Sequence, residues 1–252
     1  MTRKPDSKMR LDEALVNRGL AENLDEARGL IMAGRIMVGG QRTDKAGAKI
    51  APESAIAVKE TRRFVSRGGD KLAGALSDLG LTEAMRDSVV LDVGASTGGF
   101  TQCALAHGAK LVIALDVGTG QLDWQLRNDA RVISLENTDI RDFPSEDHPA
   151  IDWVLADISF NSLARLAPAL RRVAARSGVR LLVLVKPQFE LAANEVPPGG
   201  LVTDDSLRAT AVERVKVAFT EAGLRTLTTI DSRLAGRAGN REIFLLAENS
   251  GT

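Results

Sequence analysis

Four side chains in separate segments of the chain could together remove a proton from a hydroxyl group. Lys71 and Lys186 supply two ammonium groups. Asp157 and Glu242 supply two carboxylates. Such a set is plausible for deprotonating a weakly acidic hydroxyl. Each residue also has an ordinary explanation, because a lysine at a strand end is usually solvated and an aspartate can cap a helix. The chemistry therefore depends on whether the fold brings the four together.

A glycine-rich segment, residues 92–100, follows a predicted strand and has the features of a ligand-binding loop. Glycines let the backbone pass close to a ligand, and α/β sheets bind ligands at the carboxyl ends of their strands. A tight strand-to-helix connection is the alternative explanation. Asp116 and Asp139 end the next two predicted strands, and the first is a usual place for a carboxylate that accepts hydrogen bonds from ribose hydroxyls. We expect a nucleotide-type cofactor to contact the following residues: Asp92, Gly94, Ser96, Thr97, Gly98, Gly99, Phe100, Asp116, Asp139 and Asp157.

Apolar strand-like segments alternate with helix-like segments from residue 89 onward. Continuous runs of β-branched residues and leucine between helices indicate a parallel sheet covered on both faces. The predicted strands are 89–93, 111–115, 131–135, 151–156 and 180–185. Two last strands, near 224–229 and 242–247, have no helical pattern between them, which predicts an antiparallel hairpin at the end of the sheet. Asp157 and Lys186 each follow a parallel strand, so we expect both at the edge that carries the glycine-rich segment.

The composition limits the classes of protein. With 252 residues and 44% hydrophobic content, the chain can form one large α/β domain and a small additional one. The formal net charge is zero, so a polyanionic partner would have to bind a local basic patch. Cys103 is the single cysteine and only His107 and His148 offer imidazole, which excludes a disulfide framework and a cysteine-built zinc site. We expect a metal-free, cytoplasmic monomer, since no export signal or apolar membrane stretch is present.

The first 60 residues have the pattern of a separate small domain. Two helical segments precede an alternating strand at 35–38, a glycine turn, a basic loop at 41–49 and a second strand at 55–59. This order resembles the S4-type RNA-binding domain, in which the helix pair and the following loop contact phosphates and RNA shape. A solvated basic face is the alternative. The resemblance implies RNA contacts by Arg10, Arg28, Arg35, Arg42 and Lys45, to which we add Arg67 of the next segment.

The glycine-rich segment is similar to the first motif of S-adenosylmethionine methyltransferases. It reads Asp92-Val-Gly-Ala-Ser-Thr-Gly-Gly-Phe100 and lacks the G-x-G-x-x-G pattern of dinucleotide enzymes, so we favour S-adenosylmethionine over a nicotinamide or a flavin. Several blocks in order along the chain resemble the TlyA family, whose members join an S4-type domain to an FtsJ-like methyltransferase domain. The blocks are 66–72, 94–100, 120–124, 128–129, 156–160 and 185–190.

This resemblance implies a domain order, an activity and a partner. We expect an S4-like RNA-binding α+β domain at residues 1–60 and a linker at 61–69. Residues 70–252 would then form a Rossmann-like, S-adenosylmethionine-dependent methyltransferase sheet with helices on both faces. The family is known for 2′-O-methylation of cytidine in ribosomal RNA, so the implied partner is ribosomal RNA or a ribosomal subunit, small, large or both.

The implied reaction explains the residue types of the four side chains. A ribose 2′-hydroxyl is a poor nucleophile at neutral pH, and its proton must leave while its oxygen lies in line with the methyl group and sulfur. The family's Lys-Asp-Lys-Glu tetrad falls on Lys71, Asp157, Lys186 and Glu242. We expect Lys186 to orient and deprotonate the hydroxyl and the two carboxylates to position the lysines.

Two alternative functions stay open. The first is a non-catalytic RNA-binding or ribosome-assembly factor with a relic cofactor site, against which the complete tetrad argues. The second is a membrane-active haemolysin, a name that some family members carry. It has no support from an apolar or amphipathic membrane segment in the sequence.

Overall fold

The computed structural model describes residues 8–59, 63–236, 238–249 and 251. The chain separates into two compact units, residues 1–62 and 63–252, and each has its own hydrophobic core. Residues 1–7 and 60–62 lie outside the described residues. The predicted first domain begins in the first of these ranges, and its predicted end and the start of the predicted linker fall in the second.

The first unit is a small α+β fold. Its helices are α1 Leu11–Asn17 and α2 Leu24–Met32, and its strands are β1 Met9–Arg10, β2 Ile36–Val38, β3 Gln41–Arg42, β4 Lys49–Ile50 and β5 Ile56–Val58. Asn23 caps α2 by accepting a hydrogen bond from the Glu26 backbone N–H at 2.9 Å. β2 lies between β3 and β5 in an antiparallel sheet, and β1 pairs with β4. The predicted basic loop is therefore not all loop, because it begins in β3 and ends in β4.

A buried carboxylate joins the two helices of the first unit. Asp12 is fully buried, and Arg10 donates to both of its oxygens at 2.9 and 2.7 Å. Arg28 of α2 donates to the same carboxylate at 3.3 Å. The hydrogen bonds from Arg10, with a further contribution from Arg28, lower the pKa of Asp12 to about 2 against the opposing effect of burial. Two of the residues assigned to RNA therefore also bind this carboxylate, and one of them, Arg28, holds α2 to α1.

The second unit is a seven-stranded sheet with helices on both faces, as the sequence predicts. Its strands are β6 Val89–Val93, β7 Leu111–Leu115, β8 Val132–Leu135, β9 Trp153–Ala156, β10 Arg180–Val185, β11 Leu224–Asp231 and β12 Ile243–Asn249. Its α-helices are α3 Arg67–Asp78, α4 Gly99–Ala106, α5 Trp124–Arg127, α6 Leu163–Val173, α7 Pro187–Glu190 and α8 Asp205–Glu221. Alternate residues of β6 enter different cores: Val89 and Leu91 pack with α6 and α8, whereas Val90 packs with α3 and α4.

The strand order brings the functional strand ends to one edge. The order is β11-β12-β10-β9-β6-β7-β8, and the last five of these strands are parallel. Their carboxyl ends therefore meet at a single edge, where open α/β sheets bind ligands. β12 runs antiparallel between β10 and β11, which confirms the predicted hairpin. Because Val185 pairs with Ile243, β12 begins at the edge where β10 ends.

The starts of two helices bear on the sequence predictions. α3 begins at Arg67, inside the predicted linker, because Ser66 Oγ caps it by accepting a hydrogen bond from the Gly68 backbone N–H. The last three residues of the predicted linker therefore form the first turn of α3. The helix after β9 begins at Leu163 and is capped by Ser162, so Asp157 does not serve as its cap. Among the described residues, no helix is both long enough and apolar enough to cross a membrane.

Replacing Asp12 with Asn should lower the free energy of unfolding at neutral pH by about 1 to 2 kcal/mol, because the amide loses charged hydrogen bonds. The loss should shrink in acid. A carboxyl group with a folded pKa of about 2 contributes stability above its unfolded pKa, about 4, and that stability is lost as the pH falls through 2. Urea unfolding at about pH 7 and about pH 3 measures both effects. Asp44→Asn, at an exposed carboxylate, is the control, and equal losses for Asp12→Asn at the two pH values would contradict the prediction.

Candidate active site

The structure brings the four predicted catalytic side chains to one edge of the sheet as two ion pairs. Lys71 Nζ, on α3, lies 2.5 Å from Glu242 Oε2, which immediately precedes β12. Lys186 Nζ, immediately after β10, lies 2.7 Å from Asp157 Oδ1, which follows β9. Both lysines and Glu242 are buried. An unpaired charge in such a place would be strongly disfavoured, so each lysine depends on its carboxylate.

Strand register and a helix turn make the two ion pairs one cluster, which we call the tetrad. The pairing of β10 with β12 ends at the sheet edge, and the residues that continue it are Lys186 and Glu242. The first turn of α3 reaches the other pair, because a Cβ placed on Gly68 would lie 3.5 Å from Asp157 Oδ2. Lys71 belongs to the same helix, one turn later. The two pairs therefore form a single charged site.

Ser159 is a second partner of Lys186 that the sequence analysis missed. Lys186 Nζ donates a hydrogen bond to Ser159 Oγ at 2.7 Å. The contact with Asp157 has the length of a hydrogen bond but not its angles, so charge alone holds that pair. The ammonium group is therefore fixed between a carboxylate and a hydroxyl. The block 156–160 contained this signal, but only its aspartate was assigned a role.

Two aromatic rings and a buried carboxylate tie the loop after β9 to α7. The rings of Phe160 and Phe189 are tilted against each other with centroids 5.4 Å apart. Glu190 is buried and accepts hydrogen bonds from Ser162 Oγ at 2.6 Å and from the Leu163 backbone N–H at 2.7 Å. Burial raises the pKa of Glu190, against the effect of these hydrogen bonds. The loop that carries Asp157 and the segment that carries Lys186 are thus joined by two contacts besides their ion pair.

The glycine-rich loop between β6 and α4 contacts the tetrad. Gly94 has φ +81°, and a Cβ there would lie 3.0 Å from the Asp157 carbonyl oxygen. Gly98, at φ +94°, caps α4. A Cβ on Gly99 would overlap the backbone of Gly69 in the first turn of α3. The glycines therefore let this loop lie directly against two of the four segments that hold the predicted catalytic side chains, namely the loop after β9 and α3.

Asp92, near the end of β6, is a fully buried carboxylate with one oxygen unused. Thr101 Oγ1 donates to Asp92 Oδ2 at 2.6 Å. No described residue donates a hydrogen bond to Oδ1. Burial raises the pKa of Asp92 to about 7; the charge of Asp157 adds to this rise, and the hydrogen bond from Thr101 opposes it. A buried acceptor without a donor is unfavourable, so the unused oxygen fits a site that receives a donor from a ligand.

Asp116 holds the tip of the glycine-rich loop in place. Its two oxygens accept hydrogen bonds from the Ser96 and Gly118 backbone N–H groups, both at 2.7 Å. Ser96 also contacts Gln121, whose side-chain oxygen accepts a hydrogen bond from Ser96 Oγ at 3.2 Å. A small cavity here is lined by Ala95, Ser96, Ala114, Asp116, Gly118, Gln121, Leu122, Ser134 and Glu136. Asp116 and Ser96 therefore border a cavity. Gln121 was missed because it lies in a loop, and Glu136 was missed although it directly follows β8, because Asp139 was assigned to the end of that strand.

Of the ten residues assigned to the cofactor, only Ser96 and Asp116 line this cavity, and Phe100, Asp139 and Thr97 are among the eight that do not. Phe100 is buried and stacks on Phe244 with ring centroids 6.1 Å apart. Asp139 accepts two hydrogen bonds from the Arg141 guanidinium, both at 2.8 Å, and these lower the pKa of Asp139 to about 2. Thr97 is exposed. The structure thus gives Phe100 and Asp139 contacts within the protein. Phe100 was assigned from the glycine-rich segment, and Asp139 from a predicted strand end that lies four residues earlier, at Leu135.

The basic side chains assigned to RNA lie in both units, and several bind within their own unit. Arg35 donates to a backbone carbonyl oxygen of the first unit at 3.1 Å. Arg42 packs over the turn that ends α2. Arg67, in the second unit, donates to the Ala235 carbonyl oxygen. Lys45 is exposed between β3 and β4. Four of the five arginines assigned to RNA, namely Arg10, Arg28, Arg35 and Arg67, therefore also hydrogen-bond within their own unit.

Two family models match the chain. The model of the FtsJ-like methyltransferase matches residues 64–250, and the model of the S4 domain matches residues 9–56. The two matches occur in the order that the resemblance predicts. Together they span most of both compact units.

Known proteins agree with the family models. A Mycobacterium tuberculosis protein named 16S/23S rRNA (cytidine-2′-O)-methyltransferase TlyA is 44% identical over 94% of this chain and 88% of its own. Hemolysin A of Brachyspira hyodysenteriae is 36% identical over 93% of this chain and 97% of its own. A solved structure from Streptococcus thermophilus, provisionally named a hemolysin, is 36% identical with a TM-score of 0.71 over 97% of this chain and 90% of its own. Since relatives at this identity span nearly the whole chain, it belongs to the TlyA family, in which an S4 domain is joined to an FtsJ-like methyltransferase domain.

Proposed function

We propose that this protein transfers a methyl group from S-adenosylmethionine to the 2′-hydroxyl of a cytidine ribose in ribosomal RNA. The observation that carries the proposal is the tetrad, in which two buried lysines are each paired with a carboxylate beside the glycine-rich loop. The name of the Mycobacterium tuberculosis relative supports cytidine in 16S and 23S RNA as the substrate. The S4 domain supports docking on RNA.

The residues at the ends of β6 and β7 fit S-adenosylmethionine. When bound, this cofactor supplies a methyl group activated on a positively charged sulfur. Asp92 offers a buried acceptor oxygen to which no described residue donates, and Gly94 keeps the loop backbone clear of a side chain. Asp116 is placed to accept hydrogen bonds from ribose hydroxyls. The carboxylates of Asp116 and Asp157 also favour a cation at this edge.

Lys186 is the residue that removes the hydroxyl proton. After its ammonium group has lost a proton to solvent, the neutral amine would accept the hydroxyl proton. With S-adenosylmethionine bound, the hydroxyl oxygen would form a bond to the methyl carbon while that carbon's bond to sulfur breaks, and the sulfur would leave as a neutral thioether. The Asp157 carboxylate, 2.7 Å from Nζ, stabilises the ammonium group that results. Lys71, held by Glu242 at 2.5 Å, supplies positive charge where negative charge develops on the oxygen.

Replacing Lys186 with Ala should lower the rate of methyl transfer to ribosomal subunits by about 100-fold or more, which is the range for loss of a general base. Cofactor affinity should change little, because Lys186 is assigned to the hydroxyl rather than to the cofactor. Transfer of labelled methyl from S-adenosylmethionine measures the first quantity, and calorimetric titration measures the second. Lys216→Ala, at a half-exposed lysine of α8, is the matched control. Transfer by Lys186→Ala at the rate of the control would remove Lys186 from this role.

Replacing Asp92 with Asn should stabilise the fold and weaken cofactor binding. With a folded pKa of about 7, Asp92 contributes stability that is present below about pH 4 and is lost as the pH rises through 7. The amide carries no charge, so at about pH 8 the variant should unfold with a free energy larger by on the order of 3 kcal/mol. At about pH 4 wild type and variant should have similar stability.

Thermal unfolding at the two pH values and titration with S-adenosylmethionine test this prediction. Asp147→Asn, at an exposed carboxylate of the same unit, controls for loss of a surface charge. If Asp92→Asn has a smaller free energy of unfolding than wild type at the higher pH, the buried Asp92 carboxylate stabilises the fold and the prediction is wrong. Unchanged cofactor affinity would remove Asp92 from the cofactor site.

Phe160 is an exposed aromatic side chain three residues after Asp157. Its side chain is 93% exposed, and its backbone has φ +63°, an uncommon conformation for a bulky residue. Such a conformation persists only where its surroundings hold it, and it tends to occur at functional sites. RNA-binding proteins stack unpaired bases on exposed aromatic rings. Phe160 is therefore placed to stack on the base of the nucleotide whose ribose reaches Lys186.

Replacing Phe160 with Ala should weaken productive RNA binding, since loss of one stacked base typically costs about 1 to 3 kcal/mol. The KM for ribosomal subunits should rise by roughly 10-fold or more, while Phe160→Trp, which keeps a stacking face, should stay close to wild type. Steady-state methyl transfer at varied subunit concentration measures this. Val217→Ala, at an exposed apolar residue of α8, is the control. If Phe160→Ala behaves like Val217→Ala, the ring does not contact the substrate.

A further inference from the structure

Lys186 Nζ has two oxygen neighbours of different kinds. Asp157 Oδ1 and Ser159 Oγ each lie 2.7 Å from it, and only the serine contact has hydrogen-bond geometry. The lysine side chain is 9% exposed, whereas Ser159 is an exposed residue. The serine hydroxyl can therefore accept from Nζ and donate its own proton to solvent.

The direction of the amine matters because a neutral amine has only one lone pair. A primary amine carries two N–H groups and one lone pair in a tetrahedral arrangement about nitrogen. A base works only when its lone pair points at the proton that it removes, within hydrogen-bond distance. A hydrogen bond from one N–H group to Ser159, with the Asp157 carboxylate close to the same nitrogen, limits the directions that the lone pair can take. With Asp157 alone, the amine could still rotate about the Cε–Nζ bond.

We propose that Ser159 is a positioning residue, whose hydroxyl fixes the rotation of the Lys186 amine so that the lone pair faces the acceptor hydroxyl of the substrate. This inference rests on the proposed function, since it assigns a direction to the base of that same reaction. Ser159 fixes the direction of the base, and Asp157 stabilises the charge that forms on it.

The neighbouring serine has a different task, which makes the assignment specific. Ser162 caps α6 by accepting a hydrogen bond from the Arg165 backbone N–H, and it donates to Glu190 at 2.6 Å. It therefore holds the loop to its surroundings. Ser159 caps no helix, and the hydrogen bond from Lys186 is the contact that defines its side chain among the described residues.

The test compares Ser159→Ala and Ser159→Thr with wild type in single-turnover methyl transfer to isolated ribosomal subunits. Ser159→Ala should react about 10-fold slower or more at saturating cofactor and subunits, because misdirection of a reacting group lowers the rate of the chemical step. Its KM for subunits and its affinity for S-adenosylmethionine should stay within about 2-fold of wild type. Ser159→Thr keeps the hydroxyl and should recover most of the rate. Ser177→Ala, at an exposed serine just before β10, is the matched control.

Each result decides the matter. A wild-type protein that transfers no methyl group would overturn the proposed function and this inference with it. An active wild type with Ser159→Ala equally fast would overturn the inference alone. Equal loss in the alanine and threonine variants, accompanied by a lower melting temperature, would show that Ser159 serves loop packing and not the direction of the amine.

Discussion

The burial of two ammonium groups at one sheet edge is the constraint on which the rest of this site depends. A lysine without water or a partner is strongly disfavoured, so Lys71 and Lys186 each require a carboxylate within direct contact. Those carboxylates come from parts of the chain that are far apart in sequence. The sheet order, the hairpin that ends it and the close approach of α3 are what bring them together.

Part of the site could be read from the sequence because parallel strands end at one edge. Asp157 and Lys186 each follow an apolar strand directly, so their proximity followed from the strand pattern. Glu242 precedes its strand, and it reaches the same edge only because β12 runs antiparallel beside β10. Periodicity does not reveal strand order, so its role came from the family resemblance alone.

The sequence predicted where strands end better than it predicted which side chains contact each other. Asp139 was predicted to end its strand as Asp116 does, but it lies four residues after the end of β8, and its carboxylate accepts hydrogen bonds from Arg141. Gly68 and Gly69 were predicted to lie in a linker, since glycine is flexible. They belong instead to the first turn of α3, because Ser66 caps that turn. The basic residues of the first unit illustrate the same point. Their number suggested a surface patch, but not that a buried carboxylate would bind two of them.

Gly94 has an evolutionary consequence beyond its conformation. A side chain there would begin with a Cβ only 3.0 Å from the Asp157 carbonyl oxygen, so the glycine-rich loop and the loop after β9 are in direct contact at this point. Neither segment can gain volume there unless the other moves away. Descendants of this chain could therefore accept a larger residue at this contact only through paired changes in both loops.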